Sequence, residues 1–165
     1  MNSNIKLSFY TNIPTPYQDD FFNALSRICD FNAVFYAKTE SDRNWPLDNV
    51  GYQRVFLNSN ILSKFIQKWF KDFHFSWDIF NVCWKENSEW IILGGNYFAL
   101  NNLFASIILK FKKKKVAFYT EQLKSDSRLW LFLKKIYLNV FLSNVDLIIC
   151  VGNCACNSYK KLGFL

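Results

Sequence analysis

The stretch from Trp90 to Glu121, WIILGGNYFALNNLFASIILKFKKKKVAFYTE, constrains the fold of this chain more than any other. Trp90 to Leu93 is a short apolar run that ends in Gly94-Gly95. Tyr97 to Phe111 is almost wholly apolar. Four lysines follow, and a second short apolar run, Val116 to Tyr119, ends at Thr120-Glu121. A run of about four to eight apolar residues bounded by glycine suits a buried strand, whereas about fifteen is too long for one. The reading is strand, helix, strand, a parallel pair joined by a right-handed crossover. Both strands are apolar on both faces, as a sheet covered by helices requires. This predicts an α/β fold, a Rossmann-like doubly wound parallel sheet of about six strands with helices on both faces. Ligands of such sheets bind outside the carboxyl ends of the strands. Gly94, Gly95 and Asn96, then Thr120 and Glu121, are therefore the first candidates.

The rest of the chain continues the alternation. Ile5 to Tyr10 reads as the first strand and is expected at the centre of the sheet. The loop Thr11 to Tyr17 holds two prolines, which stiffen it and forbid helix there. Asp19 and Asp20 sit in the first turn of a helix to about Ile28, where negative charge complements the dipole. Phe31 to Tyr36 is a strand, residues 37–47 a polar loop with Arg43 and Trp45, and Tyr52 to Leu57 a third strand. Ile61 to Phe73 reads as an amphipathic helix with Ile61, Phe65, Trp69 and Phe73 on one face and Lys64, Lys68 and Lys71 on the other. Ser76 is a candidate cap for a helix to about Asn87. Ser127 to Leu142 is helical, Asp146 to Val151 is a strand, and Cys154 to Leu162 is a helix stopped by Gly163. No repeat or linker divides the chain, so one domain over 1–165 is expected.

A hydrophobic share of 51% fills a core, and a net charge of +7 points to an anionic partner: a phosphorylated ligand, a membrane surface or nucleic acid. The same lysine-rich composition equally follows from A/T-rich codons. Nucleic acid ranks last, because no recognition motif is present and the lysines alternate with core aromatics. No segment reaches the roughly 18 uncharged apolar residues of a membrane span, and the first strand begins too early for a signal peptide. A cytoplasmic protein is expected, peripheral at the inner face of the membrane. Five cysteines, an odd number, fit reduced thiols. Cys150, Cys154 and Cys156 lack paired metal-ligand spacing and His74 is the only histidine, so no metal site is expected. The G-x-G-x-x-G fingerprint is absent, which argues against NAD; no cofactor is expected.

Four segments resemble the N-terminal, acceptor-side half of GT-B-type glycosyltransferases of the large bacterial polysaccharide-synthesis family. These are the opening strand with TNIPTPYQDDFF, the loop SDRNW, the strand and glycine turn WIILGGNYF, and the closing strand and helix DLIICVGNCACNSYKKLGF. Their order and spacing span nearly all of the chain. The resemblance implies a Rossmann-like half that binds a glycan or lipid-linked acceptor, with the nucleotide-sugar donor held by a second half. That donor half and its paired-glutamate motif have no counterpart in this sequence, so a chain inactive on its own is expected. The alternative is a non-catalytic binding module that docks on a membrane or on a separate donor-domain partner.

Candidate site residues follow from fold and resemblance together. Asn12, Thr15 and Tyr17 in the first loop carry polar groups suited to sugar hydroxyls; a proline-stiffened connection is the plain alternative. Arg43 and Trp45 offer a cation and a stacking ring, or simply a solvated loop. Gly94, Gly95 and Asn96 allow close backbone approach to a ligand, or form only a tight turn. Glu121 is the one carboxylate directly after a parallel strand. It is the candidate catalytic base for an acceptor hydroxyl, strengthened by partial burial in a cleft, though it could instead bond the next helix start. On the helix Ser127 to Leu142, Leu129, Leu133, Ile136 and Val140 are expected to face the sheet. Trp130, Lys134, Tyr137 and Phe141 form a neighbouring stripe whose aromatics and lysine suit a bilayer interface.

Overall fold

A computed structural model of the chain describes residues 5–39, 50–58, 63, 75–95, 98–123 and 128–164, with backbone only over 128–130. Among the described residues are six strands: β1 (Lys6–Thr11), β2 (Asp30–Phe35), β3 (Gln53–Phe56), β4 (Trp90–Leu93), β5 (Lys115–Thr120) and β6 (Leu147–Cys150). Five helices accompany them: α1 (Pro16–Ser26), α2 (Asp78–Lys85), α3 (Leu100–Phe111), α4 (Arg128–Leu142) and α5 (Gly152–Leu162). The sheet runs β3-β2-β1-β4-β5-β6, and every pairing is parallel. β1 is central, as expected. The order reverses between β1 and β4, which makes their carboxyl ends the topological switch point.

Alternation along the strands divides the core. Phe9, Phe31, Ala33 and Phe35 pack with Phe22 of α1 on one face. Tyr10, Val34, Ile91, Leu93, Val116 and Phe118 pack on the other, with Ile79 and Cys83 of α2, Ala105 and Leu109 of α3, Leu138 and Phe141 of α4, and Tyr159 of α5. Strands apolar on both faces thus find helices on both faces.

Two sequence expectations need correction here. The first loop is shorter than Thr11 to Tyr17, because Pro16 occupies the start of α1. A proline at the first helical position is already set near the helical φ, and its missing N–H would have been unpaired anyway. The face assigned to α4 is also inverted. Lys134 and Phe141 are buried and Tyr137 half-buried, while Leu133, Ile136 and Val140 are exposed. Phe141 meets Phe118 edge-on at 4.8 Å between ring centroids, and Tyr137 meets Phe98 at 5.4 Å. Larger aromatic side chains bury more area than aliphatic ones, so the aromatic stripe turns inward. Lys134, Tyr137 and Phe141 therefore cannot form the expected membrane contact; the side chain of Trp130 lies outside the described residues.

Helix and strand ends behave as their residues dictate. Gly163 closes α5 at φ 84°, a left-handed conformation open to glycine. Asp146 lies at the amino end of β6, away from the switch point, where it pairs with Lys110 Nζ at 2.6 Å and accepts from Val116 N at 2.9 Å. Partial burial works against its charge, but the Lys110 and Val116 donors outweigh that and hold the carboxyl below its usual range. The helix expected over 61–73, apart from Ser63, lies outside the described residues, as do His74, Arg43, Trp45 and Asn96.

Candidate ligand site at the strand switch point

Backbone hydrogen bonds tie the strand ends together at the switch point. Tyr36 N donates to Thr11 O at 2.9 Å, Ala37 N to Asn12 O at 2.9 Å, and Gly94 N to Tyr10 O at 2.7 Å. The Asn12 loop and the Gly94-Gly95 turn are thereby held side by side. Both glycines are required by their protein neighbours. A Cβ on Gly94 would stand 2.5 Å from the Phe9 ring. One on Gly95 would stand 2.7 Å from Asn12 Oδ1, and Gly95 has φ +78°. Gly94 is buried against the core, while Gly95 is exposed at the mouth.

Beside this turn, two amide oxygens are buried without a hydrogen-bond partner: Asn12 Oδ1 and Gln18 Oε1. Gln18 is held by its other end, with Nε2 donating to Thr11 Oγ1 at 3.5 Å. Buried acceptors without donors are costly, and most proteins satisfy them. Thr15 is buried and caps α1, its Oγ1 accepting from Gln18 N at 3.4 Å, so its hydroxyl is already in use. Tyr17 stands exposed on the first turn of α1.

A buried polar relay supports the turn from below. Tyr36 OH donates to Asn102 Oδ1, and Asn102 Nδ2 donates to Gly94 O at 3.0 Å. Asn101 Oδ1 accepts from Ser76 N at 3.0 Å. Burial pushes the Tyr36 phenol well above its ordinary range, with the neighbouring Cys83 and Tyr137 adding to it, so it remains a neutral donor. Gln18, Tyr36, Asn101 and Asn102 were not among the sequence candidates. The two asparagines interrupt an otherwise apolar run, and that interruption was the available signal.

Glu121 follows β5 at the same end of the sheet, but it is exposed. The partial burial that its role as a base drew on is not found. Its main-chain oxygen accepts from Thr120 Oγ1 at 3.2 Å, and Thr120 Oγ1 also pairs with Tyr159 OH at 2.8 Å. The structure thus brings Asn12, Gly94 and Gly95 together, and Thr15 serves the helix. Among the described residues, no group of three or more His, Cys, Asp or Glu side chains is arranged to hold a metal ion.

No family model and no curated protein sequence matches the chain. Among solved structures, it is similar to the UDP-GlcNAc 2-epimerase of Methanocaldococcus jannaschii, with a TM-score of 0.56 and 15% identity. The match covers 98% of this chain and 43% of that one, so this chain spans less than half the length of the epimerase. The likeness shows a shared Rossmann-like α/β fold and selects no enzyme family.

Proposed function

We propose that the chain is the acceptor-binding half of a glycosyltransferase that moves a sugar from a nucleotide-sugar donor to a glycan or lipid-linked acceptor. The observation that carries this is the pair of unpartnered buried oxygens, Asn12 Oδ1 and Gln18 Oε1, beside an exposed glycine turn at a Rossmann switch point. Sugar hydroxyls are donors that can satisfy such oxygens, and a polyhydroxylated ligand offers several in one plane. Asn12 and Gly95 would line the acceptor, with Tyr17 at the start of α1 beside it. Glu121 is the carboxylate at the end of the neighbouring strand that would take the acceptor proton. A shared fold with an enzyme named for a nucleotide sugar supports sugar handling at a coarse level. Transfer needs donor and acceptor fixed in one geometry, and positioning supplies roughly 7–11 kcal/mol of the barrier. A single Rossmann-like unit supplies one side of such a cleft, so the proposed transfer needs a donor-binding unit opposite it.

The exposure of Glu121 favours a second reading, a non-catalytic binding module that docks on a membrane or on a separate donor-domain partner. One titration addresses both. Oligosaccharide acceptors added to the isotope-labelled chain should shift the amide resonances of Asn12, Gln18 and Gly95, while a nucleotide sugar leaves them in place and is not consumed. Turnover of a nucleotide sugar by the purified chain would overturn the first reading. Absence of any saccharide-induced shift at these residues would remove the acceptor site and leave the second reading.

A further inference from the structure

The outer face of α2 and α3 carries large apolar side chains that the core does not use. Trp77 at the N-cap of α2 and Phe80 and Trp84 within it recur at helical spacing, and Trp84 is 63% exposed. Ile107 and Phe111 are exposed on α3, Phe111 by 78%. Phe80 meets Phe104 of α3 at 5.2 Å between ring centroids and Trp77 at 5.8 Å, so the two rows form one surface. Lys112 fixes its lower end. Its Nζ donates to Cys83 O at 3.1 Å, to Glu86 O at 3.0 Å and to Trp84 O, pinning the end of α2 to the end of α3. Trp84 and Phe111 are thereby brought to the same end.

The unpaired charge beside Trp84 and Phe111 is positive. Lys85 follows Trp84 and Lys113 lies two residues beyond Phe111, both exposed and outside every ion pair among the described residues. The nearby acids are engaged: Glu89 with Lys115 at 3.1 Å, Asp146 with Lys110 at 2.6 Å, and Glu86 buried as the acceptor of Tyr10 OH at 2.8 Å. Contiguous exposed apolar surface marks an interaction site. Indole and phenyl rings rimmed by free lysines match the boundary between headgroups and acyl chains, where lipid phosphates meet the ammonium groups. The chain's net charge of +7 has the same complementarity, and no described helix is long and apolar enough to cross a membrane.

We propose that this surface docks the protein on a bilayer containing anionic phospholipid, with Trp84 and Phe111 entering the headgroup region and Lys85 and Lys113 meeting lipid phosphates. The contact lies at the amino ends of the strands, remote from the Asn12–Gly95 site, and does not depend on the acceptor reading. Flotation with vesicles of phosphatidylglycerol and phosphatidylcholine in equal parts, against phosphatidylcholine alone, tests it. The chain should float with the anionic vesicles only. Trp84→Ala with Phe111→Ala, and separately Lys85→Glu with Lys113→Glu, should each lower the partition coefficient at least about tenfold, with melting temperatures close to that of the parent. Because these are exposed positions on separate variants, loss of fold in one pair leaves the other to decide. Equal binding to neutral vesicles, no binding to either, or unchanged binding by a folded variant pair would overturn the proposal. So would a sedimentation equilibrium in which the aromatic pair converts a dimer to a monomer, which would make the surface a contact between copies.

Discussion

Asn12 and Gly95 meet where β1 and β4 end: a Cβ added to Gly95 would lie 2.7 Å from Asn12 Oδ1 and 3.0 Å from Asn12 Cγ. The two residues shape one another. Gly95 holds φ +78°, which costs an L-residue roughly 1–2 kcal/mol, and the clash adds to it. Gly95→Ala should therefore destabilise the fold by about 2 kcal/mol or more in urea unfolding. Adding Asn12→Ala should recover the steric part and leave the backbone part, so the double variant should be more stable than the sum of the singles. Additive losses would show that the two side-chain positions do not share space.

Asn102 links three elements, accepting from Tyr36 OH and donating to Gly94 O. Truncating it leaves a buried phenol and a buried carbonyl without partners, each costing about 1–3 kcal/mol. Asn102→Ala should lower stability by roughly 2–4 kcal/mol. Tyr36→Phe removes one donor and should cost about 1 kcal/mol. Equal losses for the two variants, measured by chemical denaturation, would show that Gly94 O does not depend on Asn102.

β4 was legible because it is a short apolar run with a breaker at its end, Trp90 to Leu93 before Gly94-Gly95. The parallel sheet followed from the long run between two such strands. The face of α4 was not legible. Its sequence is apolar on nearly every side, so periodicity alone could not say whether Tyr137 and Phe141 or Ile136 and Val140 meet the sheet. Ring packing against Phe118 and Phe98 decided it, and those partners lie in other elements. The polar relay was hidden for a related reason. Asn102 reads as a blemish in a hydrophobic helix until Tyr36, 66 positions away, is seen to donate to it. Thr15 does present a hydroxyl at this end of the sheet, but the start of α1 uses it.

Cysteine chemistry should divide by burial. Cys83 is buried, and desolvation, with a further contribution from Glu86, pushes its thiol up to about 12 despite the opposing hydrogen bond with Tyr10 and charge of Lys112. The thiolate is the reactive form. Cys83 should resist iodoacetamide at neutral pH until the chain is unfolded, while exposed Cys154 reacts in the folded state. Mass spectrometry of tryptic peptides from native and denaturant-treated protein distinguishes them. Rapid native alkylation of Cys83 would mean that α2 opens far more readily than its packing against Tyr10 and Ile91 implies.

Glu86 should govern part of the acid stability. Burial alone would raise its pKa, but the carboxylate accepts from Ser88 N at 2.7 Å and from Tyr10 OH at 2.8 Å, and these donors outweigh burial and lower it below 4.5. A carboxyl with a depressed folded-state pKa stabilises the fold fully above its unfolded value. That contribution is lost as pH falls through the folded value. The wild-type chain should thus keep the Glu86 contribution at neutral pH and begin to lose it as pH drops below about 4.5. Glu86→Gln keeps the shape and removes the titration. It should be less stable than wild type at pH 7, and its loss of stability below pH 4.5 should be shallower, with Asp146, whose carboxyl is also held below its usual range, contributing to what remains. Urea midpoints measured from neutral pH down through this range give both curves. Parallel curves throughout would show that Glu86 takes up its proton equally in the folded and unfolded chain, and that its two hydrogen bonds do not favour the charged form.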